Sequence, residues 1–203
     1  MFDLPKSTEI RKPVHKKLIY SKFATELSGD KKERFDADIS RIIIINEISE
    51  ISVNIKAAEK VSSIFVAQVE LKTKDYNDRN IILISKLFGQ NLLIVLHYEE
   101  QYQLAIYETK LLKSEWNNEE DFSLKLNGLD MGTVWDNFVM QVSGISVEIG
   151  NTLVEQISLE SEKEKLRKQI DDLERKARKE TQSKKKFELF QQIKKYKNRL
   201  EEA

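Results

Sequence analysis

Two hydrophobic periodicities divide this chain, and together they restrict what it can fold into. Up to about residue 142 the apolar residues come in short β-branched or alternating runs; beyond residue 153 they step by 4, 3 and 4. A period near two requires a sheet, because successive strand side chains point to opposite faces. A 4-3-4 stripe requires a helix that packs on another helix. The predicted fold class is therefore α+β (or α/β). Residues 1–150 form a mixed β-sheet of about five to six strands flanked by helices, with an N-terminal arm, and residues 151–203 form a C-terminal long helix or helical hairpin.

Within the first part, Phe2 to Pro13 reads as an extended arm, since each of its two prolines disfavours helix in the residue before it. Leu18, Ile19, Phe23 and Leu27 predict a short amphipathic helix, and Phe35 with Ile39 a second one after the Ser28-Gly29-Asp30 break. Ile42 to Asn46 is a continuous β-branched run that suits a strand covered on both faces. Ile51 to Ile55 alternates and predicts a strand with one wet face, and Ile64 to Leu71 predicts another. Asp75 to Phe88 predicts a helix stopped by Gly89. Leu92 to Tyr98 and Tyr102 to Tyr107 predict a hairpin. Segments near Lys110 to Trp116 and Phe122 to Leu126 would extend the sheet edge. Val134, Trp135, Phe138, Val139 and Val142 predict a helix lying on the sheet.

The tail carries the strongest charge bias. The chain has 34 basic and 34 acidic side chains, yet 160–203 hold 15 basic against 10 acidic, and Arg175 to Arg199 hold 11 against two. Leu166, Ile170, Leu173 and Ala177 form one seam, and Leu189, Ile193, Tyr196 and Leu200 a second, two residues out of register. Thr181-Gln182-Ser183 sits at the fault, where the helix either bends back or continues with a winding seam. These eight residues are the candidate partner-binding set, in cis, with another protein, or with a second copy of the chain. Lys184, Lys185 and Lys186 are the candidate nucleic-acid contacts, since clustered ammonium groups attract phosphate independently of sequence. Lysine-rich helix faces are also common as plain solvated surface.

The residue types exclude much chemistry. There is no Cys, which removes disulfides and thiolate zinc sites, and the two His cannot form an HExxH site. The longest apolar runs, Ile42 to Ile45 and Leu92 to Leu96, fall far short of a bilayer span, and Met1 to Tyr20 lacks the apolar core of a secretory signal. A cytoplasmic protein with no membrane contact is expected. Gly128 and Gly132 lack the lysine and serine or threonine of a phosphate loop. His97, on an apolar strand, reads as a histidine satisfied by a neighbour, and His15 as solvent-facing.

One pair remains as a catalytic candidate. Glu70 and Lys72 project to the same side at the C-terminal end of a strand, where open α/β sheets place their sites. The order helix, strand, strand, strand with Glu70-Leu71-Lys72, helix, strand resembles the core of PD-(D/E)xK nucleases. That motif also uses a metal-binding aspartate on the preceding strand, and the segment 51–55 offers only Asn54. Mg²⁺ is expected only under this nuclease reading, in an active or a degenerate form; otherwise no cofactor is expected.

Three stretches taken together resemble a bacterial family of uncharacterised proteins, domain of unknown function 4391. They are Leu4-Pro5-Lys6-Ser7-Thr8-Glu9 leading to Lys16 and Tyr20; Trp135-Asp136-Asn137-Phe138-Val139 with Gln141 and Gly144; and Glu180-Thr181-Gln182 leading to Phe187-Glu188-Leu189. The resemblance implies an accessory protein of the kind met beside helicases and DNA methyltransferases in phage-defence gene clusters. It transfers no catalytic residues. The expected function is a non-enzymatic accessory or adaptor subunit that docks a protein partner, such as a neighbouring helicase or methyltransferase, through its C-terminal helices. The alternatives are a nuclease built on Glu70 and Lys72, and a sequence-independent nucleic-acid-binding module built on the basic tail.

Overall fold

The β-branched and alternating runs become six strands: β1 (Glu9–Val14), β2 (Ile39–Ser49), β3 (Ser63–Leu71), β4 (Asn91–Tyr98), β5 (Gln101–Tyr107) and β6 (Leu111–Lys113). They lie in one sheet in sequence order. Every neighbouring pair is antiparallel except β3 and β4, which are parallel. A parallel pair needs a crossover, and helix α4 (Asp78–Phe88, numbered in chain order with those below) supplies it. The computed structural model describes residues 2–89, 91–148 and 150–202. The chain divides into two units, Met1–Gly144 and Ile145–Ala203.

Helices α1 (Lys16–Lys22) and α2 (Asp30–Asp38) follow the predicted amphipathic segments. Together with α4 they cover one sheet face, where Ile19, Phe35, Ile39, Val69, Ile81, Ile94 and Leu96 belong to one buried cluster. Helix α5 (Met131–Ser143) packs against β3, β5 and β6. Its predicted stripe, Val134, Trp135, Phe138, Val139 and Val142, is buried throughout. Asp130 caps it by accepting from Thr133 N at 2.8 Å. Helix α4 stops at Gly89, whose φ of +61° is open to glycine without strain.

Two segments depart from the expectation. The arm contains edge strand β1, paired through Lys12↔Ile44, Pro13↔Ile43 and Val14↔Ile42 with a register shift between Glu9 and Lys12. An edge strand tolerates Pro13 because one side of it needs no ladder donor. The arm is also held by a buried polar relay: Asn46 Nδ2 donates to Thr8 Oγ1 at 2.7 Å, and Thr8 Oγ1 donates to Pro5 O at 2.7 Å. The second departure is 51–55, predicted as a strand. It contains instead the one-turn helix α3 (Glu50–Val53), with Asn54 left-handed at its end. Ser52 Oγ accepts from Ser49 N at 2.9 Å and donates back to Glu47 O at 3.1 Å. That local network outcompetes an extended chain, and Ile51 is left 99% exposed. Of the two predicted edge extensions, Lys110 to Trp116 contributes β6, whereas Phe122 to Leu126 is not a strand.

The second unit is an antiparallel pair, α6 (Leu153–Lys179) and α7 (Ser183–Glu202). A capping box opens α6: Thr152 N donates to Glu155 Oε2 at 2.8 Å, and Glu155 N to Thr152 Oγ1 at 3.3 Å. The chain turns at the register fault, so the helix bends back. Ile170, Ala177 and Ile193 are buried in the seam, with Leu173, Leu189, Tyr196 and Leu200 packed on them. Glu174 Oε1 pairs with Lys197 Nζ across the helices at 2.9 Å. Along α6, Glu164 pairs with Lys168 (2.8 Å) and Glu174 with Arg178 (3.6 Å), while Arg175 turns to Asp172. Among the described residues no helix is long and apolar enough to cross a membrane.

One buried carboxylate ties the sheet unit's elements together. Asp38, fully buried, ends α2 just before β2. Its Oδ2 accepts from Asn77 N at 2.8 Å and Asn80 Nδ2 at 2.9 Å, which fixes the start of α4. Its Oδ1 lies 2.9 Å from Arg34 Nε, an ion pair without hydrogen-bond alignment. Removing the acceptor strands the buried Asn80 amide and costs the Asn77 cap bond and the Arg34 ion pair. Asp38→Ala is expected to lower the free energy of unfolding by about 2–4 kcal/mol in urea denaturation. Asp38→Asn should lose less. A loss below about 1 kcal/mol for the alanine variant would contradict this role.

Candidate functional site

A row of polar side chains crosses the sheet at the C-terminal ends of the parallel strands. Register places Arg41 of β2 opposite Glu70 of β3, Glu70 beside His97 of β4, and His97 opposite Tyr102 of β5. Side chains that share a register row share a face, and the contacts follow. Glu70 Oε2 lies 2.7 Å from His97 Nδ1. Glu70 Oε1 accepts from Gln68 Nε2 at 2.6 Å and lies 3.8 Å from Arg41 Nη2. The His97 ring stacks on Tyr102 with centroids 4.4 Å apart, and Tyr102 meets the edge of Phe2 at 5.7 Å. Arg41 and Gln68 also line a groove of about 370 Å³ with Glu9, Arg11 and Asn46.

Lys72 does not complete a catalytic pair with Glu70. Its Nζ donates to Asp36 O at 2.7 Å and its backbone N to Asp38 O at 2.8 Å, so this lysine clasps the end of α2. The strand preceding β3 is β2, not the segment at 51–55, and at the level of Glu70 it presents Arg41, a cation, where the nuclease motif needs a carboxylate. The two acids whose carbonyls Lys72 bonds are already engaged. Asp36 Oδ1 accepts from Lys16 Nζ at 2.9 Å and Tyr20 OH at 2.5 Å, and Asp38 caps α4. Burial opposes ionisation of Asp36, yet the Tyr20 and Lys16 hydrogen bonds win and hold its carboxyl below the ordinary range. Mg²⁺ prefers several hard oxygens, and both Glu70 oxygens face nitrogen donors of the protein. The residues present do not fit a nuclease metal. Among the described residues no group of three or more His, Asp or Glu is placed to hold a metal ion.

The sequence-level partner-binding set has a first use within the chain. Ile170, Leu173, Ala177, Leu189, Ile193, Tyr196 and Leu200 close the hairpin seam, and Leu166 is half-buried on α6. Lys184, Lys185 and Lys186 are exposed on the first turn of α7. Beside them Phe187 is 62% and Phe190 54% exposed. Phe187 and Phe190 stand three residues apart and so share a helix face, with Lys194 at the next turn. A cleft of about 510 Å³ at the hairpin's turn is lined by Lys176, Lys179, Lys185, Glu188 and Leu189.

Arg41, Gln68, His97 and Tyr102 are absent from the sequence-level candidates because only strand register brings them to Glu70. The signal was indirect: His97 and Glu70 each stand next to last in their strands.

The mixed sheet with its polar row and the basic helical hairpin define an α+β protein whose site carries no complete reactive set from a known motif. A family profile described as Domain of unknown function (DUF4391) matches residues 2–200, and the chain belongs to that family. Neither a curated protein nor a solved structure matches it.

The Tyr102 phenol is pushed above its usual range by burial, then by the negative charges of Glu119 and Glu70. Its folded pKa is raised, so the stability it contributes is fully present below the unfolded value of about 10 and is lost as pH rises through the folded one. In tyrosine NMR, Tyr102 is expected to titrate above the ordinary value, and Glu70→Gln should bring it down. An ordinary titration in the wild type would contradict the row's electrostatics.

Proposed function

We propose that this chain is a non-enzymatic accessory subunit of a bacterial phage-defence or restriction-modification-like system, docking a protein partner through its C-terminal hairpin. One observation carries the reading: Phe187 and Phe190 stand exposed together on α7, surrounded by Lys184, Lys185, Lys186 and Lys194. Two adjacent exposed phenylalanines are unusual on a solvated helix, and buried aromatic anchors with a charged rim are how protein interfaces concentrate binding energy. The seam is occupied within the hairpin, so the outer face of α7 is what remains to meet a partner. The surrounding ammonium groups favour an acidic partner surface and steer its approach. A neighbouring helicase or methyltransferase is the proposed kind of partner, and the cytoplasm the proposed compartment.

Nucleic acid is the second reading, favoured by the same lysines. Base stacking on Phe187 and Phe190 would give sequence-tolerant binding with strong salt dependence. The nuclease reading has weaker support, since Arg41 faces Glu70 and Lys72 clasps α2.

Co-expression of the tagged chain with the products of its neighbouring genes tests this. Phe187→Ser/Phe190→Ser is expected to lower partner recovery by about tenfold or more while helical content is retained. Glu70→Ala and Lys72→Ala, checked for folding, should leave recovery unchanged. Full recovery with the phenylalanine variant would sink the docking reading. Duplex-DNA binding that falls steeply with salt and vanishes when Lys184, Lys185 and Lys186 are neutralised would replace it, and Mg²⁺-dependent cleavage lost in Glu70→Ala would overturn the non-enzymatic assignment.

A further inference from the structure

The groove of about 370 Å³ beside the polar row owes its lining to a β-bulge. In β2, Ile42 pairs with Val69 and Ile44 with Ala67, and both partners belong to the cluster beneath the helices. Ile43 pairs with Gln68 on the opposite face. Strict alternation would send Asn46 to the helix side as well. Ile45, however, has no counterpart in β3, so the ladder slips by one and Asn46 pairs with Val66, on the face of Ile43 and Gln68. Strand β1 bulges at the same level, between Glu9 and Lys12, with Arg11 at a φ of +47°. The result is an apolar surface of Pro13, Ile43 and Ile45 bordered by Arg41, Gln68 and Asn46.

A hydrogen-bond network fixes how the two amides point. The Thr8 hydroxyl gives its proton to Pro5 O, so toward Asn46 it can only accept, and Asn46 Nδ2 donates to it at 2.7 Å. The Glu70 carboxylate accepts in the same way from Gln68 Nε2 at 2.6 Å. Both carbonyl oxygens, Asn46 Oδ1 and Gln68 Oε1, therefore turn away from these bonds, and neither has a hydrogen bond among the described residues. Asn46 is only 4% exposed. Its Oδ1 is nevertheless open to solvent: among the described residues, the unpaired side-chain atoms sealed from it are Asp38 Oδ1 and Ser85 Oγ. An acceptor that is largely desolvated and still unpaired favours an N–H from outside.

Arg41 closes one end of the groove. Its Nη2 is held 3.8 Å from Glu70 Oε1, beyond hydrogen-bond reach, and its side chain is 66% exposed. The guanidinium fork is thus positioned next to Gln68 with its donors free for a carboxylate. Glu9 and Arg11 border the Asn46 end with opposite charges, so the net positive charge rests with Arg41.

Spacing decides what kind of ligand fits. Arg41 lies level with Glu70, Gln68 stands two residues along β3, and Asn46 is level with Val66, two residues further. The three span about 13 Å, at about 3.3 Å per residue. An extended peptide repeats its same-side N–H groups at the same two-residue interval. We propose that the groove captures the C-terminal end of an extended apolar peptide supplied by a protein partner. The α-carboxylate takes Arg41, backbone N–H groups donate to Gln68 Oε1 and Asn46 Oδ1, and apolar side chains rest on Pro13, Ile43 and Ile45. This site uses the sheet unit alone and is independent of the docking function proposed for the hairpin.

The probe is acetylated Ala-Val-Ala-Val with a free C-terminal carboxylate, titrated calorimetrically into the full chain, with its C-terminal amide and hexanoate as controls. Saturable one-site binding of the acid peptide is expected, about tenfold tighter than the amide. Arg41→Gln, at an exposed position, should keep the fold by circular dichroism and abolish that preference while leaving the amide peptide unchanged. Gln68→Met should weaken both peptides about fivefold. In side-chain amide NMR the Asn46 and Gln68 signals should move on titration. No saturation in the millimolar range would overturn the site. Equal binding of acid and amide, or a preference that survives Arg41→Gln, would overturn capture of a C-terminus. Asn46 and Gln68 signals that stay still in the saturated complex would place the peptide elsewhere. Hexanoate binding as tight as the peptide would reassign the groove to small carboxylates and overturn the peptide.

Discussion

The sheet unit depends on how one buried carboxylate is satisfied. Asp38 sits where α2 gives way to β2, and it faces the start of α4, which arrives after the β3 crossover. Burying a carboxylate is costly unless it is paired and hydrogen-bonded. The partners here come from two helices: Arg34 on α2 itself, and the Asn77 backbone and Asn80 side chain at the start of α4. Lys72 adds a backbone bond to Asp38 O. Meeting the needs of this one group therefore sets where β2 begins, where β3 ends and how α4 enters the crossover, and so where Glu70 stands.

That placement also sets Glu70 at a nuclease-like position among neighbours that are not the motif's own. The β3–α4–β4 crossover follows the arrangement that the Glu70-Leu71-Lys72 tripeptide suggests, but the expected strand between β2 and β3 is the helical turn α3. The chemistry diverges at single positions. Arg41 occupies the register level of a missing acid, and His97 and Gln68 take up the oxygens of Glu70. A carboxylate satisfied by an imidazole, an amide and a nearby guanidinium is a structural crosslink between β2, β3 and β4. Fold and chemistry are separable, and here the side chains around the tripeptide decide.

Much of the architecture was legible from residue pattern. The β-branched run at Ile42 to Asn46, the hairpin at 92–107, the helix ended by Gly89 and the stripe on α5 all reach their predicted elements, because burial of an apolar face dominates each. The failures lie where polar local bonds decide. Ile-Ser-Val-Asn-Ile alternates like a strand, yet the Ser49–Ser52 network coils it into a helical turn. Strand β1 was hidden by prolines that an edge position tolerates. The candidate site was half legible: Glu70 stood out, whereas Arg41, His97 and Tyr102 become its neighbours only through pairings that span up to 29 residues of chain. In the tail, the register fault at Thr181-Gln182-Ser183 left a bend and a winding seam as equals. The contacts between Ile170, Ala177 and Ile193 correspond to the bend.

The two borders of the sheet bear on self-association. An open sheet ends in unpaired amides and carbonyls that can template a neighbouring chain, and proteins blunt them with proline, bulges and very short strands. One border here is β1, broken by Pro13 and by Arg11 at a φ of +47°. The other is β6, three residues long. Neither offers a smooth stretch on which a second copy could continue the hydrogen-bond ladder. Edge-to-edge growth, the usual route from an open sheet to fibres, is thereby discouraged.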